Sequence, residues 1–117
     1  MHSFRMIYDA EGDIFEVDFR LAGQEPENGY ELNDNVTIWT DARITRVYRI
    51  LFLSYSRLLE RSTVTLNFLK KLPHSQREKI QRALEQAPVN QFLTCRDKEK
   101  NRYILTGPDV KAMVKAA

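Results

Sequence analysis

The alternation of apolar and polar side chains is sharpest over residues 13–21. Phe15, Val17, Phe19 and Leu21 share one parity and Glu16, Asp18 and Arg20 the other, the period of a strand with one buried face. The apolar run Phe4-Arg5-Met6-Ile7-Tyr8 precedes it, separated by the polar Asp9-Ala10-Glu11-Gly12. Gly12 can take a positive φ, so the two runs are predicted to close as an antiparallel hairpin. Gly23 to Gly29, with Pro26 and no large apolar side chain, reads as a loop. Val36-Thr37-Ile38-Trp39 is β-branched and aromatic and reads as a strand. Asp41-Ala42 turns the chain, and a further strand is predicted over Ile44 to Leu53, with Ile44, Tyr48, Ile50 and Phe52 on one parity and Arg46 interrupting it. Ile44, Val47 and Leu51 also repeat at helical spacing, but the β-branched and aromatic content favours a strand.

After Ser54 the pattern changes. Leu58, Leu59, Leu66, Leu69 and Leu72 recur near helical spacing, with Ser62-Thr63-Val64-Thr65 as a point of division and Pro73 as the end. Ser75 and Glu78 match a capping box and predict a helix from there to about Gln86, with Glu78 and Arg82 paired four apart and Pro88 beyond. Val89 to Cys95 and Arg102 to Thr106 flank the charged loop 96–101 and read as a second hairpin. Gly107-Pro108-Asp109 opens a short terminal helix through Val114. The expected class is α+β. It comprises a small antiparallel sheet (the N-terminal hairpin plus two strands), helices in the second half and a C-terminal hairpin. Residues 1–117 form a single domain, with a β-rich part over 1–60 and a basic helical part over 61–117.

Composition narrows the class of molecule. At 117 residues, 43% hydrophobic and 29% charged, the chain has the size and make-up of one globular domain. A core of that size is small, which makes a subunit partner a reasonable expectation. Cys95 is the sole cysteine, so no intrachain disulfide and no multi-cysteine zinc site can form. The longest apolar run, Ile50-Leu51-Phe52-Leu53, falls far short of the ~18 residues of a membrane span, and no signal-peptide run follows Met1. A cytoplasmic protein without membrane contact is expected.

Three stretches carry a resemblance. Met6-Ile7-Tyr8-Asp9-Ala10-Glu11-Gly12-Asp13-Ile14-Phe15, then Asn35-Val36-Thr37-Ile38 with Asp41, then Ile50-Leu51-Phe52-Leu53-Ser54 resemble the short bacterial domain-of-unknown-function family 2283. Its members open with a strand ending in Tyr-Asp, an acidic turn, an Asp and an alternating strand, and later run from a strand into a Ser-containing helix. The match spans about half the chain, residues 1–60. Where members usually carry a Gly before the last apolar strand, this chain has Arg46-Val47-Tyr48-Arg49. The resemblance implies a small antiparallel sheet and no known catalysis.

Candidate chemistry is sparse. Asp9, Glu11 and Asp13 alternate like calcium ligands, but Gly12 precedes the third acid instead of following it. A solvated turn with Asp9 bonding its own backbone accounts for them. Cys95 and His74 stand alone without a nucleophile–base signature, and His2 lies next to the terminus. The chain contains no Walker loop, dinucleotide fingerprint, HExxH or nucleophile elbow. No enzyme, metal, cofactor or small-molecule substrate is therefore inferred. Of the aromatics, Phe15, Phe19, Phe52 and Phe68 fit core patterns, while Trp39 and Tyr55 have neighbours polar enough for a surface role, although core or subunit contact is the favoured use even for these two.

Charge is informative once divided. Residues 1–41 set two arginines against ten acids, a balance of −8, and residues 42–117 set sixteen basic residues against six acids, a balance of +10. Two functions follow. In the leading one the protein is a non-enzymatic interaction or regulatory module, its acidic surface of Asp9, Glu11, Asp13, Glu16 and Asp18 meeting a basic partner or the basic half of a second copy. In the alternative, nucleic acid binds the basic segment 43–82, through Arg57, Arg61, Lys70, Lys71, Arg77, Lys79 and Arg82. On a strand, Arg43 and Arg49 would face away from Arg46. Mutual neutralisation of the two segments is the bland outcome for both.

Overall fold

A computed structural model describes residues 4–20 and 28–109. The expected hairpin forms: β1 (Arg5–Asp9) pairs antiparallel with β2 (Ile14–Asp18), Arg5 opposite Asp18 and Asp9 opposite Ile14. Asp9 closes its turn, Oδ1 accepting from the amides of Glu11 at 3.1 Å and Gly12 at 3.3 Å, as an Asx turn does. β2 pairs in turn with β5 (Val47–Leu53), β5 with β4 (Val36–Thr40), and β4 with β3 (Asn28–Glu31). The sheet order is β1-β2-β5-β4-β3.

β3 corrects the loop reading at its C-terminal end. Its residues carry no strand pattern, and it forms because β4 offers a ladder: Gly29 lies opposite Trp39, whose indole nitrogen would stand 3.1 Å from any Cβ there. Residues 23–27 of the expected loop lie outside the described residues, as do Leu21 of the expected second strand and the expected terminal helix from residue 110 onward.

The strand expected from Ile44 begins at Val47 instead. Asp41 is the cause, its carboxylate accepting from the amides of Thr45 at 2.7 Å and Arg46 at 3.1 Å and from the Thr45 hydroxyl. These bonds fold residues 41–46 into a turn that holds Ile44 at φ 56°, a costly angle for a β-branched residue. The parity also shifts. Trp39 faces Arg49 and Thr40 faces Val47, so Tyr48 is the extra residue of a bulge. Val47 rather than Tyr48 is therefore buried with Ile50 and Phe52, and the Tyr48 carbonyl accepts from the Phe19 amide at 2.8 Å.

The leucine-rich stretch divides where β-branched residues interrupt it. α1 (Tyr55–Arg61) ends at Ser62, at φ 58°, and Thr63-Val64-Thr65 becomes β6 (Thr63–Thr65). β6 pairs with β8 (Arg102–Leu105), which pairs with β7 (Leu93–Asp97), so the expected C-terminal hairpin gains a third strand. A 3-10 turn at Asn67–Lys71 leads to α2 (His74–Leu84). The capping box does not form. Pro73, with its fixed φ, starts the helix directly. Ser75 falls inside the first turn, and Glu78 lies 3.1 Å from His74 rather than serving as a cap. Among the described residues no helix is long and apolar enough to cross a membrane.

One apolar core joins the parts: Phe15, Ile38, Ile50 and Phe52 of the larger sheet meet Leu66, Leu69, Ile80, Leu93 and Tyr103. The joints are specific. The Phe68 amide donates to Leu32 O at 3.0 Å and the Leu66 amide to Asn101 O at 2.8 Å. Gln81 of α2 donates to the Asn101 side-chain oxygen at 2.8 Å, both residues buried, so these two buried side chains are partnered by one another. Tyr55, for which core contact is the favoured use despite its polar neighbours, is fully buried, its ring 4.4 Å from Phe15 and 5.4 Å from Phe52. Its hydroxyl donates to Pro108 O at 3.0 Å, and Gly107 makes the room, since a Cβ there would stand 2.3 Å from the Tyr55 oxygen.

Candidate interaction surfaces

The five acidic residues of the first candidate surface do not remain one bare face. Asp9 holds the hairpin turn. Glu11 is exposed beside it. Asp13, at φ 54°, turns inward, accepting from the Tyr8 hydroxyl at 2.8 Å, the Ser56 hydroxyl at 2.7 Å and the Ser56 amide at 3.0 Å. It ties the hairpin to the start of α1. Partial burial pushes the Asp13 carboxyl up, but the bonds from Ser56 and Tyr8 and the charge of Arg57 outweigh that and hold it below its ordinary range. The same bond pushes the Tyr8 phenol up. Glu16 stands 3.2 Å from Arg49 Nε, an ionic contact whose N–H is not aimed at the oxygen. Asp18 meets Arg20 at 3.3 Å and Arg5 at 3.7 Å. Arg49 also lies 3.9 Å over the half-buried Trp39 ring. At this face, then, basic Arg49 has been brought onto the acidic segment.

The register gives the outward face its pattern. Arg5, Asp18, Arg49, Trp39 and Gly29 form one cross-strand row; Ile7, Glu16, Leu51, Thr37 and Glu31 form the next; Asp9, Ile14 and Leu53 follow. Directly opposed residues share a face, so Ile7, Ile14, Leu51 and Leu53 cluster on the side away from the core. Ile7 is 48% exposed and Leu53 38%, with Ile14 and Leu51 half-buried. The sequence carried this signal as the apolar residues of the polar parity, Ile14, Leu51 and Leu53, which fit no single buried face.

The basic residues are divided among three places. The Asp41 turn projects Arg43 and Thr45 beside Lys79 and Arg82 of α2 and Gln86 just beyond its end, around a depression of about 290 Å³. Across the helix, Lys70, Arg77 and Lys98 surround a second of about 510 Å³, with Gln81, Asn101 and Glu99. Elsewhere, Arg57 lends its charge to Asp13, Arg61 sits in the last turn of α1, and Lys71 lies 4.6 Å over Phe68. Arg43 and Lys98 complete the α2 clusters; both come from turns and became neighbours of α2 only through folding.

Cys95 and His74 have separate surroundings. His74 contacts Arg77 at 3.0 Å and Glu78 at 3.1 Å on its own helix. Cys95 sits half-buried on β7 opposite Tyr103, and desolvation together with the Glu85 charge pushes its thiol up, away from the thiolate that nucleophilic chemistry uses. Among the described residues no group of three or more His, Cys, Asp or Glu is placed to hold a metal ion. No family model, curated protein or solved structure matches the chain.

Proposed function

We propose that this protein is a non-enzymatic interaction module that presents the open face of its larger sheet to a protein partner. The observation that supports this is the outward cluster of Ile7, Ile14, Leu51 and Leu53. A sheet with one solvated face normally alternates apolar inward and polar outward, and contiguous apolar residues on the wet side mark contact surfaces. Glu16 stands between Ile7 and Leu51 within the cluster, Glu31 and Arg5 border it, and together they supply the charge that orients a partner. The resemblance to family 2283, which assigns no catalysis, is compatible with this reading. Affinity capture from native lysate checks it. A protein retained by the wild type and lost with Leu53→Lys, both folded by circular dichroism, is the expected result; identical captures from the two would refute it.

A second reading has its own observation, the cations on both flanks of α2. A nucleic-acid backbone fits such a surface without base reading. Labelled DNA or RNA should bind at low salt, and Lys79→Glu with Arg82→Glu should weaken binding at least tenfold and lower the log–log salt slope by about 1.8, at roughly 0.9 per phosphate contact. The absence of binding at about 50 mM salt removes this reading.

A further inference from the structure

Among the described residues the order β1-β2-β5-β4-β3 leaves β1 as an edge. An edge strand offers unpaired backbone N–H and C=O groups, and proteins blunt such edges with proline, lysine, bulges or a covering element. β1 has neither proline nor lysine, and it pairs with β2 in unbroken register. It is also unusually exposed for a strand: Met6 is 43% accessible and Ile7 48%.

The sequence of this edge is complementary to itself. When two antiparallel copies of Arg5-Met6-Ile7-Tyr8-Asp9 are laid together about a two-fold axis at Ile7, Arg5 of each stands opposite Asp9 of the other. Met6 then faces Tyr8, and Ile7 faces Ile7. Directly opposed unlike charges and apolar pairs both stabilise a ladder, and a two-fold axis makes each contact twice. The other edges lack this property: self-pairing of β6 sets Thr63 opposite Thr65 and the buried Val64 opposite itself, with no unlike charges. Self-pairing of β3 sets Asn28 opposite Glu31, and self-pairing of β7 sets Leu93 opposite Asp97 across a bulge at Cys95/Asp97. Arg5 can be recruited without loss to the fold. Its contact with Asp18 is long, at 3.7 Å, with the arginine 72% exposed, and Asp18 keeps Arg20 at 3.3 Å.

We propose that the chain forms a two-fold homodimer by antiparallel pairing of β1 with β1 of a second copy, in the register that sets Arg5 against Asp9. The pairing joins the two larger sheets into one and carries the outward apolar cluster across the axis through Ile7. This rests on the reading of the sheet as an interaction surface and names the second copy as the occupant of its edge.

Sedimentation equilibrium of the full chain tests it. The mass should rise with concentration from 13.8 kDa towards twice that value. Arg5→Asp, which sets like charges opposite Asp9, should weaken the dimer at least tenfold, and adding Asp9→Asn, which removes the repulsion while keeping an acceptor for the turn, should recover most of the loss. Ile7→Lys, at an exposed site, should give monomer that keeps the wild-type circular-dichroism spectrum. A monomeric mass up to about 1 mM, or a dimer indifferent to Arg5→Asp, overturns the proposal. Failure here leaves the capture result with Leu53→Lys standing, because Leu53 lies on the face of the sheet and away from this edge.

Discussion

Phe15→Ala should lower the unfolding free energy by about 3–5 kcal/mol, the usual cost of deleting a fully buried phenyl ring. Phe15 is inaccessible to solvent, lies opposite Phe52 in the sheet, and has the rings of Tyr55 at 4.4 Å, Phe52 at 6.0 Å and Phe92 at 6.2 Å. These neighbours come from β5, from α1 and from the turn before β7, so the cavity would open where the two sheets and the first helix meet. Three rigid rings cannot collapse into it without moving their own elements, which places the loss toward the upper part of that range. Domains of this size have about 5–15 kcal/mol in total. Urea unfolding with an unchanged slope checks the value, and Lys100→Ala, at an exposed site in the turn between β7 and β8, serves as the comparison at within about 0.5 kcal/mol of wild type. Equal losses for the two would refute the assignment of Phe15 to the junction.

The second large effect belongs to Asp13. Asp13→Ala removes the acceptor for the Ser56 hydroxyl, the Ser56 amide and the Tyr8 hydroxyl, and leaves a residue poorly suited to φ 54°. A loss of about 2–4 kcal/mol is expected from the orphaned donors and the backbone strain together. Asp13→Asn tolerates the left-handed conformation and should cost about half as much. The pH dependence follows from direction. Asp13 and Asp41 are both held below their ordinary 3.8 in the fold, by hydrogen bonds that outweigh their desolvation. As pH falls through that range the unfolded chain takes up protons first. The stabilisation is therefore complete above the ordinary carboxylate range and is lost as pH drops through the depressed folded values. Wild type and Asp13→Ala should accordingly differ most near neutrality and converge in acid. A gap that widens on acidification would show that Asp13 does not act as an ionised acceptor.

Legibility in the sequence followed the range of the interactions. The first hairpin could be read because its two-residue period and its Asx turn are both encoded within fifteen consecutive positions. The strand at Val36 to Thr40 and the C-terminal hairpin could be read for the same reason. β3 could not, because Asn28 to Glu31 become a strand only against β4. The start of β5 is not legible locally because Asp41, several residues upstream, holds the intervening amides in a turn, and neither is its parity, because a bulge depends on the register of the opposing strand. Tyr55 shows the effect in one residue: its serine neighbours leave surface and core both open, and Ser54 at φ 55° and the space above Gly107 turn its ring into the core.

The candidate surfaces divide along the same line. Ile14, Leu51 and Leu53 stood in the sequence as apolar residues out of phase, and the self-complementary order of Arg5, Ile7 and Asp9 is a property of the chain as written. Which residues share a face, and that β1 is an edge, required the sheet order. The charges show the difference most clearly. Chain order gives consecutive segments of −8 and +10, as though two faces of opposite sign were intended. Folding sets Arg49 against Glu16, turns Asp13 inward to Ser56, and gathers Arg43, Lys79 and Arg82 beside one helix. Side-chain alternation and turn chemistry act between near neighbours and can be read directly. Strand order and charge pairing act between segments far apart in sequence, and packing of the common core decides which of those segments meet.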